Sequence, residues 1–184
     1  MAFSSTQSFT RRAAVLSALA TLALASCAGP PNIMPAVNAP AFTLEGFFVG
    51  KTVGKGAFTS AIAGVNRPLT VITNGRWDGK TLVLREDFFF ADGEKDVKTW
   101  RFTKTAPSVY EGTREDVIGK ADIRQVGNTV QLRYSADVRS KDGSVTRLDF
   151  ADTIAPIDRK SVLNKATVSK FGVPIGDITI TFTR

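Results

Sequence analysis

Glu86, Asp152, Asn164 and Lys170 combine types and spacing that could do chemistry. Each sits where its neighbours two residues away are apolar. Glu86 falls in the register Leu82, Leu84, Glu86, Phe88, Phe90, and Asp152 in Leu148, Phe150, Asp152, Ile154. Asn164 and Lys170 share the parity of Val162 and Val168. In a β-strand such positions lie on one face. A lone charge on a buried face is costly and is normally paired or neutralised. Glu86 and Asp152 therefore call for partners, and Lys170, Asn164 and Arg114 are the candidates. A polar cluster of this kind could orient the head group of a ligand while Trp77, Phe88, Phe90, Trp100, Phe102 and Tyr134 hold its body. Two other readings stay open. The cluster could be a structural network or a rim, since one bulge reverses parity. It could also be catalytic, with Glu86 or Asp152 as a general base beside Lys170.

The composition narrows the chemistry further. The chain has no histidine and one cysteine. That removes Ser-His and Cys-His nucleophile pairs and any zinc site built on imidazole. No cofactor or metal site is expected, and the protein reads as a non-enzyme. Gly54-Lys55-Gly56 is followed by no helical pattern, so a bend or close strand packing is the reading, not a phosphate loop. Asp92-Gly93-Glu94-Lys95-Asp96 lacks calcium-loop spacing and reads as a hairpin loop. Arg114-Glu115-Asp116 reads as a charged turn between strands. The formal net charge is +7, but the basic residues are scattered singly among acids. No nucleic-acid partner is expected, and the balance suits a mild attraction to anionic head groups.

The lone cysteine, Cys27, ends the run Leu24-Ala25-Ser26-Cys27. Arg11 and Arg12 precede an uncharged, mostly apolar stretch from Ala13 to Ala25. A charged start, a short apolar region and small residues form an export signal. The stretch is shorter than the roughly 20 residues a membrane-spanning helix needs. The ending resembles the lipobox of bacterial lipoproteins, which implies cleavage before Cys27 and acylation of its thiol. Thr10-Arg11-Arg12-Ala13-Ala14-Val15-Leu16 also resembles a twin-arginine signal, so either export route is open. Ala28 stands where an inner-membrane retention signal would place aspartate, which leans toward the outer membrane, facing the periplasm.

These segments give three parts: a signal peptide over 1–26, a lipidated Cys27 with a flexible Pro/Ala-rich tether over 27–43, and one folded domain, an antiparallel β-barrel, over 44–184. The domain is large enough to bury a core without disulfides. It reads as all-β. Val130 to Val138 alternates apolar and polar residues, as do Thr81 to Ala91, Leu148 to Ile154 and Ile178 to Phe182. Trp77-Asp78-Gly79-Lys80, Asp92-Gly93, Gly127-Asn128 and Asp142-Gly143 mark hairpin turns. Pro156 to Lys160 is a further break. About nine or ten strands in series give a meander. An open sheet of that length would expose edges and an apolar face, so the expected form is a single antiparallel up-and-down β-barrel. About eight strands leave an interior just filled, or with room for one small ligand.

Several runs together resemble a bacterial lipoprotein family known as domain of unknown function 3833. They are Gly54-Lys55-Gly56-Ala57-Phe58, Leu82 to Phe88, Asp92-Gly93-Glu94, Trp100-Arg101-Phe102, Tyr110 to Gly119 and Asn164 to Gly172. The resemblance spans about Phe47 to Arg184. It implies that Glu86, Asn164 and Lys170 belong to the family pattern, and it brings no activity with it. Where the pattern often has an aromatic after paired aspartates, this chain has Asp149-Phe150-Ala151-Asp152-Thr153. The architecture is similar to lipocalin/calycin-like barrels, which commonly bind apolar small molecules. The expected site is Glu86, Phe88, Trp100, Arg114, Tyr134, Asp152, Asn164 and Lys170, holding a small apolar or amphipathic, lipid-like ligand. The membrane is met through Cys27, and no protein partner is named. The alternative is an adaptor lipoprotein with a filled barrel that docks an envelope protein through an exposed Phe47-Phe48 or Phe171 patch.

Overall fold

The structure is a computed structural model, and it describes Met1 and residues 29–184. Cys27, Arg11 and Arg12 lie outside the described residues. Ten antiparallel strands follow one short helix, α1 (Leu44–Phe48). They are β1 (Gly50–Ser60), β2 (Val65–Trp77), β3 (Thr81–Phe90), β4 (Lys95–Ala106) and β5 (Val109–Thr113), then β6 (Ala121–Val126), β7 (Thr129–Arg139), β8 (Val145–Pro156), β9 (Ser161–Lys170) and β10 (Val173–Thr183). Each pairs with its sequence neighbour, and β1 pairs with β10 from Val53↔Thr183 to Thr59↔Asp177, which closes the barrel.

Alternation explains the closure. Leu82, Leu84 and Glu86 of β3 are buried, while Arg85 between them is exposed. Val130, Leu132 and Ala136 of β7 are buried, with Arg133 exposed. Lys51, Lys55, Arg101 and Lys165 join Arg85 and Arg133 on the outside, so the outer wall carries charge while the inner wall is mostly apolar. The turns fall where Asp-Gly pairs stand. Gly93 and Gly143 adopt φ of 86° and 84° between β3 and β4 and between β7 and β8. Those values suit glycine because other residues would strain there.

One end of the barrel is plugged. Thr43 caps α1 by accepting a hydrogen bond from Gly46 N at 3.0 Å. Phe42, Phe47, Phe48 and Phe182 then stack edge to face, with ring centroids 5.0–6.1 Å apart. α1 can sit this deep because β2 carries Gly75 beside it. A Cβ there would meet Phe48 O at 1.9 Å. Gly56 does the same between strands, where a Cβ would meet Thr179 O at 1.9 Å. Close strand packing is thus the role of the Gly54-Lys55-Gly56 run.

The segment before α1 lies against the barrel. Ala36 N donates to Pro156 O at 3.2 Å, and Asn128 Nδ2 donates to Pro40 O at 3.0 Å. Phe42 N donates to Asn128 Oδ1 at 2.8 Å. Gly29 sits beside the Arg133 guanidinium. The helix and this docked segment carry no sequence period long enough to announce them.

Candidate functional site

The barrel encloses a cavity of about 210 Å³ that runs from the plug toward the unplugged end. Leu44, Phe48, Ile180 and Phe182 form its floor, and Phe88, Phe90, Val138 and Ile178 surround its mouth. A polar belt crosses it between them, built by Glu86 of β3, Tyr134 of β7, Asp152 of β8, Asn164 of β9 and, after β5, Arg114 and Asp116. Strand parity delivers the first four. Arg114 continues the inward parity of Tyr110 and Gly112 past the end of β5. The chain then folds along β7: Ile118 N donates to Ser135 O at 2.9 Å, and Asp137 N donates to Asp116 O at 2.9 Å. This turns a short loop into an inner wall.

Arg114 lies at the centre. Its Nε and Nη2 donate to the Asp116 carboxylate at 2.7 and 3.4 Å. Its Nη1 is 3.7 Å from Glu86 Oε2, an ion pair beyond hydrogen-bond distance. The guanidinium also lies 4.6 Å from the Trp100 ring centroid and 5.4 Å from that of Tyr134. Trp100 and Tyr134 meet edge to face at 5.1 Å, and Tyr134 stacks on Phe150 at 4.9 Å. Across the belt, Asn164 Nδ2 donates to Asp152 Oδ1 at 3.1 Å. Toward the mouth, Lys98 bridges Asp96 at 3.1 Å and Asp116 at 3.5 Å.

The belt is only partly satisfied. Glu86 Oε2, Asp152 Oδ2 and Asn164 Oδ1 are buried without a hydrogen-bond partner. Thr153 Oγ1 shares that state, on the opposite parity of β8. Such groups are uncommon and call for an explanation. Their electrostatics follow. Burial pushes the Glu86 carboxyl up to about 7; Arg114 pulls it back, and the Asp152 charge adds to the rise. Burial lifts Asp152 to about 6 against the Asn164 hydrogen bond and the Arg114 charge. Burial also raises Tyr134 well above the ordinary phenol range, with the Asp152 charge adding to it. Burial opposes the Arg114 charge, but Tyr134, Glu86 and Asp116 more than restore it. Among the described residues no group of three or more His, Cys, Asp or Glu converges as a metal site.

Of the site residues expected from sequence, Glu86, Phe88, Trp100, Arg114, Tyr134, Asp152 and Asn164 all line this cavity. Lys170 does not. It ends β9 at the rim, exposed, with its ammonium 5.6 Å from the exposed Phe171 ring. It keeps inward parity but stands one step beyond the lumen, so it cannot serve as the partner of Glu86. Trp77 packs against the core and does not line the cavity. Phe47 and Phe48 are buried in the plug, which removes them as an exposed contact patch. Asp116 and Lys98 escaped sequence reading. The Arg114-Glu115-Asp116 run looked like a solvated turn, and the missed signal was that Tyr110, Gly112, Arg114 and Asp116 keep one parity.

The fold and this belt define a class: a ten-stranded antiparallel barrel, plugged at one end, with an ionic lumen. The sequence matches the family described as a protein of unknown function (DUF3833) over residues 21–184, and the chain belongs to that family. No curated protein matches it.

Proposed function

We propose that this protein is a lipid-anchored, periplasm-facing lipoprotein that binds a small amphipathic molecule in the barrel lumen. The reading rests above all on three buried acceptor atoms, at Glu86, Asp152 and Asn164, left without partners around an unplugged cavity. A barrel needing only stability would gain from filling that space, because leaving a buried polar atom unpaired costs about 1–3 kcal/mol. The apolar floor suits the body of a ligand and the polar belt its head. Anchoring rests on the lipobox-like run ending at Cys27.

Two measurements test this reading. Native mass spectrometry of the protein purified from its own host should show a co-purifying small molecule. A protein of bare mass that also takes up no added amphiphile ends the binding reading. Metabolic labelling with an alkyne-tagged fatty acid should mark the protein, and Cys27→Ser should abolish the mark; labelling that survives the substitution ends the anchoring reading.

A second reading has one observation behind it. Phe171 is 91% exposed at the tip of the β9–β10 turn, a position suited to contact with an envelope protein. A specific crosslink from that position, with an empty lumen, would favour the adaptor role.

A further inference from the structure

The lumen is asymmetric in what it offers. Its three unpartnered atoms, Glu86 Oε2, Asp152 Oδ2 and Asn164 Oδ1, are all acceptors. The charged and amide donors are engaged, and Tyr134 Oη and Trp100 Nε1 remain as the neutral donors of the lumen. Arg114 gives its Nε and Nη2 to Asp116 and faces Glu86 with Nη1. Asn164 gives its amide to Asp152. That bond also fixes the amide orientation, because a reversed Asn164 would set its oxygen against a carboxylate. Lys98 is shared between Asp96 and Asp116.

Charge points the same way. Glu86, Asp116 and Asp152 face the single guanidinium of Arg114 in the belt. Lys98 and Asp96, nearer the mouth, offset one another. Glu86 and Asp152 are 9% and 7% exposed, so water screens them little. A ligand carboxylate entering here would find two buried acids and, for donors, only the neutral Tyr134 hydroxyl and Trp100 indole N–H beside an Arg114 already shared among acids. A ligand cation would find acceptors and an excess of negative charge. Below the belt the floor of Leu44, Phe48, Ile180 and Phe182 is wholly apolar.

We propose that the lumen selects a cationic amine head on an apolar body, with the ammonium donating to Glu86, Asp152 and Asn164, and that it rejects free carboxylates. This rests on the binding reading above and adds the chemistry of the head. The raised protonation ranges of Glu86 and Asp152 agree with it. An ammonium arriving between them would favour their ionised forms, so binding should release protons.

The test uses three probes of equal chain length, hexylamine, hexanol and hexanoate, with the full chain carrying Cys27→Ser to keep it free of detergent. Isothermal titration at pH 6.5 in two buffers of different ionisation enthalpy reads affinity and proton release together. Hexylamine should bind at least about tenfold tighter than either other probe, a difference of about 1.4 kcal/mol, with proton release. Glu86→Gln should reduce that preference several-fold while the fold, read by circular dichroism, is kept. Equal affinity for hexylamine and hexanoate, or for hexylamine and hexanol, overturns the inference and leaves the binding reading standing. An unchanged preference in Glu86→Gln overturns it as well. Failure of all three probes to bind defeats the binding reading itself.

Discussion

The plug and the polar belt each set a glutamate beside a tyrosine and a basic side chain, and they use them in opposite ways. At the plug, Glu45 of α1 accepts a hydrogen bond from Tyr110 Oη at 2.7 Å and one from Lys104 Nζ at 2.9 Å. Burial alone would raise its carboxyl; the bonds from Tyr110 and Lys104 outweigh it, and the net shift is downward. Higher in the lumen, Glu86 stands near Tyr134 and Arg114, but the guanidinium bonds Asp116 and reaches Glu86 only at 3.7 Å. There burial wins, and the carboxyl rises to about 7. Both oxygens of Glu45 are engaged, while an oxygen of Glu86 waits. The plug spends its polar groups on holding a helix in place. The belt leaves acceptors unpaired, which is the feature the proposed binding role rests on.

That contrast can be broken experimentally. The largest effect is expected from Arg114→Met, which strips the only guanidinium from three acids. Removing one partner of a buried ion network costs about 3–5 kcal/mol, measurable by urea unfolding at pH 7.5. The loss should shrink at pH 5, where Glu86 and Asp152 are mostly protonated. An equal loss at both values would mean that Arg114 acts through its packing on Trp100 and Tyr134. Glu86→Gln should move stability the other way. The Glu86 carboxyl titrates near 4.5 when unfolded and about 7 when folded, so folding takes up protons across that window. Its contribution is complete below pH 4.5 and is lost as pH rises through 7. The variant should therefore match the wild type at pH 4 and exceed it by about 1–3 kcal/mol at pH 8. A variant less stable at pH 8 would show that Glu86 is a well-paired structural group like Glu45. The smallest change belongs to the plug: Tyr110→Phe removes one of the two side-chain hydrogen bonds to Glu45 and should cost about 1 kcal/mol, because Lys104 still holds the carboxylate. Its loss should not fade between pH 6 and pH 8, since Glu45 is ionised throughout.

Much of this was written into the strands and little of it into the connections. Alternation in Leu82 to Phe90, Val130 to Val138 and Ile178 to Phe182 fixes which side chains face inward, and the Asp-Gly turns fix antiparallel order. Together they imply closure, and the β1–β10 pairing follows. Glu86, Asp152 and Asn164 were legible because a polar residue breaks an otherwise apolar parity. Lys170 obeyed the same parity and still missed the site, because parity gives direction and not height along the barrel. Asp116 was hidden for the converse reason. It belongs to a loop, and only its backbone bond to β7 turns it inward. α1 escaped because five residues are too few to show a 3.6-residue period. Its docking depends on Gly75, some 30 residues downstream along the chain.

The pairing of β5 with β6 has one further consequence. Only Val109↔Arg124, Tyr110↔Ile123, Glu111↔Asp122 and Gly112↔Ala121 stitch those strands together, whereas β1 and β2 match from Gly50↔Gly75 to Ser60↔Val65. This is the weakest seam of the cylinder, and Arg114 hangs from its upper edge. Parting of that seam would move the Arg114 guanidinium relative to Glu86 while the long ladders stay shut. Local opening at this seam therefore needs no global unfolding.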